Sequence, residues 1–140
     1  MLAATTLRAT AARQVRVAPR GVATRTLSSA SARAKVARAI ESNDGVLMYS
    51  KSFCSFSHGA KEVFRSAGVD VTVHELDEEP DGVEVQKALF EETGQRTVPN
   101  IFIGKAHVGG YSELMEGVKD GHVHDLLEVV GIKSSLGSVR

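Results

Sequence analysis

The sequence predicts an α/β domain built on a four-stranded mixed sheet with helices on both faces. Three observations carry that expectation. Segments with apolar residues at three- and four-residue steps alternate with short apolar runs. Two further short strands flank Gly104-Lys105, which reads as a hairpin turn. Helix and strand patterns that alternate, then close with a hairpin and more helices, bury their apolar faces as a sheet covered by helices. At 140 residues there is room for one such domain and a tail.

The elements follow in order. Residues Ser31 to Ser42 read as a helix with Val36, Ala39 and Ile40 on one face, and Asn43-Asp44-Gly45 turns the chain. Val46 to Ser50 is a short apolar strand. From Ser55 to Ala67 the residues Phe56, Ala60, Val63, Phe64 and Ala67 form the stripe of an amphipathic helix that ends near Gly68. Val69 to Leu76 alternates and reads as a second strand. Pro80-Asp81-Gly82 opens a helix through Glu92, stopped by Gly94. Asn100–Ile103 and Ala106–Val108 form the hairpin. Helices near Ser112–Lys119 and His122–Val130 complete a domain spanning 31–133, and the polar residues 134–140 read as a loose tail.

The zero formal net charge averages two opposite halves. Residues 1–40 hold eight basic residues and no acidic one, whereas 41–140 hold nine basic and seventeen acidic residues, a net of minus eight. A basic, acid-free leader rich in Ala, Ser, Thr and Arg has the makeup of an organelle transit peptide, assigned here to residues 1–30. The competing reading is a basic arm for nucleic acid or lipid surfaces; targeting accounts better for the absence of acidic residues, so neither a nucleic-acid nor a membrane partner is expected. No apolar run in the leader approaches a signal-peptide core or a membrane span. Arg25-Thr26-Leu27-Ser28-Ser29 resembles a mitochondrial processing site, which favours the mitochondrial matrix over the plastid stroma.

Cys54 is the one cysteine of the chain, and it stands at a strand-to-helix junction. There its sulfur lies over the first helical turn, whose unpaired N–H groups and positive dipole end favour a thiolate. Lys51 supplies a nearby positive charge. A lone cysteine is more commonly buried and inert, but this position points to a reactive thiolate. A single cysteine excludes an intramolecular disulfide, in keeping with a reducing compartment.

Lys51-Ser52-Phe53-Cys54-Ser55-Phe56-Ser57 resembles a glutaredoxin active site of the monothiol Cys-x-x-Ser kind, of class I type, with Ser57 where a second cysteine commonly stands. Gln86 on a helix, Arg96-Thr97-Val98-Pro99 before a strand, and Gly109-Gly110-Tyr111-Ser112-Glu113 opening another helix fall in the matching order. The resemblance covers about residues 34–133 and implies a thioredoxin-like fold. It also implies a glutathione groove. Val98, before a cis Pro99, would lend its backbone to glutathione as in strand addition, with Thr97 beside it. Gly110, Ser112 and Glu113 would receive the γ-glutamyl end at a helix start. Lys51, Gln86 and Arg96 would hold the glycine carboxylate, and Phe56 keeps the ring of a common tyrosine without its hydroxyl.

The implied activity is reduction of protein–glutathione mixed disulfides through Cys54, with glutathione as co-substrate, Ser57 in support and the protein a monomer. The alternative is a [2Fe–2S] carrier, a dimer bridged through Cys54 and glutathione. The carriers that are poor reductases usually read Cys-Gly-Phe-Ser and carry a Trp-Pro-Thr stretch; here Ser55 replaces the glycine and tryptophan is absent. A third reading, a redox-inert peptide-binding module, would leave Cys54 incidental. No metal site is read from His58 or from His122-Val123-His124, and Glu78-Glu79-Pro80-Asp81 reads as a solvated acidic loop.

Overall fold

The computed structural model describes residues 28–136. Five helices and four strands follow one another as α1 (Ala30–Glu41), β1 (Val46–Ser50), α2 (Ser55–Ser66), β2 (Val71–Glu75), α3 (Gly82–Thr93), β3 (Asn100–Ile103), β4 (Ala106–Gly109), α4 (Tyr111–Asp120) and α5 (His122–Val129). The strands form one mixed sheet in the order β2-β1-β3-β4. β1 runs parallel to β2 with Val46 opposite Val71, and antiparallel to β3 with Val46 opposite Ile103. The β3–β4 hairpin is antiparallel and carries a register shift at Ile101/Phe102. This is the expected thioredoxin-like architecture.

Side chains of a strand alternate between faces, and β1 serves both. Val46 and Met48, with Ile101 and Ile103 of β3, pack under Phe64 of α2, Leu114 of α4 and Val123 and Leu127 of α5. Leu47, Tyr49 and Phe102 point the other way, against Ala32 and Val36 of α1 and Val85, Ala88 and Leu89 of α3. A central strand covered on both faces reads as an unbroken apolar run rather than an alternating one, and all five β1 residues are buried.

Several boundaries differ from expectation. α1 begins at Ala30 with Ser29 as N-cap, its side chain accepting from the Ala32 N–H. Ser28 precedes it, 4% exposed, with its N–H and hydroxyl both donating to the Glu91 carboxylate at 2.7 and 2.8 Å. Ser28–Ala30, grouped with the leader by their sequence, therefore pack with the folded unit. The rest of the leader, 1–27, and residues 137–140 of the expected tail lie outside the described residues. The start of that tail is docked: the Ser135 N–H donates to the Ala67 carbonyl, and Leu136 packs against the core. β2 is shorter than the apolar pattern, with Val69 and Leu76 buried as its flanks.

The acidic 77–81 segment is also tied down. Lys35 of α1 pairs with Asp81 at 3.0 Å and Glu79 at 3.4 Å, and His74 meets Glu79 at 3.2 Å. Among the described residues no helix is long and apolar enough to cross a membrane.

Candidate active site

β1 ends at Ser50, and a tight turn through Lys51-Ser52-Phe53 delivers Cys54 as the N-cap of α2. The turn closes with the Cys54 N–H donating to the Lys51 carbonyl at 3.0 Å, and the helix opens with the His58 N–H donating to the Cys54 carbonyl at 3.1 Å. Two side chains hold the turn from outside. Asp77, just past β2, accepts from the Ser52 N–H at 2.9 Å and from its hydroxyl; those bonds, with the Lys51 charge, keep the Asp77 carboxyl below its usual range. His58 donates from Nε2 to the Ser52 carbonyl at 2.8 Å.

The Cys54 thiol is part-exposed and points at the Val98 carbonyl, 3.8 Å away. Burial opposes ionisation and is the largest single influence on it. The Ser57 hydroxyl and N–H, the Phe56 N–H and the Lys51 charge together outweigh burial and bring the thiol below its ordinary value. Ser57 is fully buried, and its hydroxyl has no conventional hydrogen-bond partner. A thiolate at Cys54 supplies the acceptor it lacks.

Facing the thiol is the 95–99 loop, with a cis Val98–Pro99 bond. Gln86 and Arg96 meet at its outer side, where Gln86 Nε2 donates to the Arg96 carbonyl at 2.7 Å. The Arg96 guanidinium rests 4.0 Å above the Phe90 ring, a cation–π contact that parks it beside α3. Thr97 is exposed, Val98 half-buried and Pro99 buried. Gln95 Nε2 donates to both the Thr97 and Pro99 carbonyls, each at 2.9 Å.

The second loop is the Gly109-Gly110 turn into α4. Gly109 sits at φ +116°, a conformation open to glycine and strained for other residues. The Gly110 N–H donates to Glu113 Oε1 at 2.8 Å. Glu113 thus caps its own helix with one carboxylate oxygen; Ser112 is exposed beside it. Tyr111 packs its ring over Gly59 and 5.6 Å from Phe56, joining α4 to α2. Phe53 and Phe56 are 74% and 61% exposed, an apolar rim about the sulfur.

The structure therefore brings Ser57, Lys51 and Val98 around Cys54 and sets the Gly110–Glu113 turn against the Pro99 end of the facing loop, with Gln86 and Arg96 meeting at that loop's outer side. Gln95, Asp77, His58 and Tyr111 are the participants that sequence reasoning missed. His58 is exposed as expected, though its ring is engaged. Among the described residues the one grouping of histidine and carboxylates close enough to share a metal is His124, Asp125 and Glu128 on α5, which does not include Cys54.

Residues 46–108 match the glutaredoxin family model. A glutaredoxin of Vernicia fordii is 40% identical over 95 residues, 68% of this chain and 91% of its own length. Glutaredoxin-C2 of Arabidopsis thaliana is likewise 40% identical over 95 residues, 68% of this chain and 86% of its length. Among solved structures, a buckwheat glutaredoxin–glutathione complex superposes with a TM-score of 0.70 at 38% identity, covering 74% of this chain and 93% of that one.

Proposed function

This chain belongs to the glutaredoxin family, and from that premise we propose that it reduces protein–glutathione mixed disulfides by a monothiol route. The observation that carries the proposal is the Cys54 sulfur, lowered in pKa at a helix start and 3.8 Å from the Val98 carbonyl. The buckwheat relative solved with glutathione supports the ligand. In this reading glutathione lies along Val98, its γ-glutamyl end at Gly110, Ser112 and Glu113 and its glycine carboxylate toward Lys51, Gln86 and Arg96.

The Cys54 thiolate attacks the glutathione sulfur of protein–S–SG. The S–S bond breaks, the target leaves as a thiolate that takes a proton, and Cys54 carries glutathione. The thiolate of a second glutathione attacks that bound glutathione sulfur, releasing oxidised glutathione and the Cys54 thiolate. One glutathione is consumed per turnover and no second cysteine is needed. Lowering a thiol's pKa raises its thiolate fraction but lowers its nucleophilicity, with a Brønsted slope of about 0.4–0.5, so attack gains little. The second step gains, because Cys54 is then the leaving group and a weaker base leaves faster.

Cys54→Ser should abolish turnover of a glutathionylated peptide and leave the fold intact. Appreciable activity in that variant would end the proposal. A brown, dimeric protein on anaerobic purification would favour the [2Fe–2S] carrier instead. For the leader, we propose import into mitochondria on the strength of its basic, acid-free composition. A reporter fused to residues 1–40 should enter mitochondria, and plastid or cytosolic fluorescence would contradict this.

A further inference from the structure

We infer that Gln95 is the positioning residue of the groove, aiming the Val98 N–H at the ligand backbone without touching the thiol or the ligand itself. This rests on the proposed glutathione site and names what holds that site in shape. The Gln95 side chain has two amide N–H donors, and the structure spends both: one on the Thr97 carbonyl and one on the Pro99 carbonyl, each at 2.9 Å. The first bond matters most. The Thr97 carbonyl and the Val98 N–H belong to the same planar peptide unit and point in opposite directions. Fixing one therefore fixes the other. The second bond holds the Pro99 carbonyl, two residues further on, and so pins the loop on the far side of Val98 as well.

Gln95 is itself anchored. Its N–H donates to Thr93 Oγ1 at 3.0 Å, and the Thr93 hydroxyl donates to the Leu89 carbonyl at 2.8 Å inside α3. A continuous path thus runs from the last turn of α3 to the Val98 peptide. The same amide also lies in the seam between the two loops of the groove. A Cβ on Gly110 would stand 3.6 Å from Gln95 Nε2 and 3.5 Å from the Pro99 carbonyl oxygen. Backbone-to-backbone recognition depends on donor and acceptor direction as much as on distance. A residue that orients the peptide plane therefore acts on binding of the glutathionyl group and not on sulfur chemistry.

Gln95→Met keeps the length and removes both donors; Gln95→Glu sets an acceptor against two carbonyls. With a glutathionylated peptide as substrate and glutathione in excess, KM should rise about tenfold in Gln95→Met, the scale of losing one or two hydrogen bonds, and further in Gln95→Glu. The kcat should stay within about twofold of wild type, since no group that bears on the leaving or attacking sulfur has changed. Alkylation of Cys54 by iodoacetamide, which does not use the groove, should proceed at the wild-type rate. Gln95→Asn retains a donor but reaches less far, and should fall between wild type and Gln95→Met; it carries the test if the methionine variant fails to fold. An unchanged KM in Gln95→Met, or a loss of kcat and alkylation rate with KM unmoved, overturns the positioning role while leaving the proposed function standing. A wild type inactive on the peptide removes the proposed function first, and this inference with it.

Discussion

At the residue scale, Cys54 owes its acidity to neighbours that arrive with the start of α2. Ser57 is the one with a side chain to spare, a buried hydroxyl that finds no other acceptor. The rate of iodoacetamide alkylation against pH should therefore show a midpoint below the ordinary cysteine value of about 8.5. Ser57→Ala should move that midpoint upward; an unmoved midpoint would deny Ser57 its part. The sign carries over to stability. Because the folded-state pKa is the lower one, ionisation stabilises the fold fully above the unfolded value of about 8.5, and that contribution is lost as pH falls through the folded value. The stability of reduced wild type relative to Cys54→Ser should accordingly grow as pH rises through this window.

Cys54 stood out by its place at a strand-to-helix junction, and Val98 and the paired glycines stood out through the family resemblance and its spacing. Gln95 and Asp77 were not. A glutamine after a helix-ending glycine and an aspartate in an acidic run look like solvated surface, and their work depends on what the fold sets opposite them. Phe56 shows the converse. It fits the apolar stripe of its helix, yet it sits in the first turn, where the Tyr111 ring and not the core meets it.

At the scale of elements, periodicity found every helix and strand of the described residues within a few positions, because each buries one face against a shared sheet. The widest difference is β2, whose expected span of Val69 to Leu76 shortens at both ends. α3 begins at Gly82, packed so closely on the end of the β2 segment that a Cβ there would lie 1.8 Å from the Leu76 carbonyl oxygen. Backbone cannot yield as a flexible side chain would. Gly82→Ala should cost at least the about 1–3 kcal/mol typical of overpacking, read as a lower midpoint in chemical denaturation. A midpoint equal to wild type would show that α3 can shift without loss. The paired contacts of Lys35 with Glu79 and Asp81 bind the same junction to α1, but they are exposed enough that their removal should matter less.

For the whole molecule, the folded unit includes residues that composition assigns to the leader. A protein cut to 31–140 loses the Ser29 N-cap and the Ser28–Glu91 bonds, whereas 28–140 keeps them. The shorter form should be less stable by about 1 kcal/mol from the cap alone, a drop of about 4–8 °C in melting temperature for a domain of this size. Equal melting temperatures for the two would show that the segment docks without stabilising. Nothing in the composition of Ser28-Ser29-Ala30 distinguishes it from the residues before it; what ties it to the folded unit is a carboxylate sixty-three positions after Ser28.

The central place of β1 has a consequence in time as well as in space. A strand paired on both sides and covered on both faces can release its amide protons only when the sheet comes apart, so β1 belongs to the slowest-exchanging part of the protein. The Lys51–Phe53 turn directly after it lies outside the sheet and is held by side-chain contacts from Asp77 and His58. Amide protection should therefore fall steeply over four residues, from a strand that opens as rarely as the molecule unfolds to the turn that delivers Cys54. Cys54 thus stands one short turn beyond the strand that should be the last of the sheet to exchange.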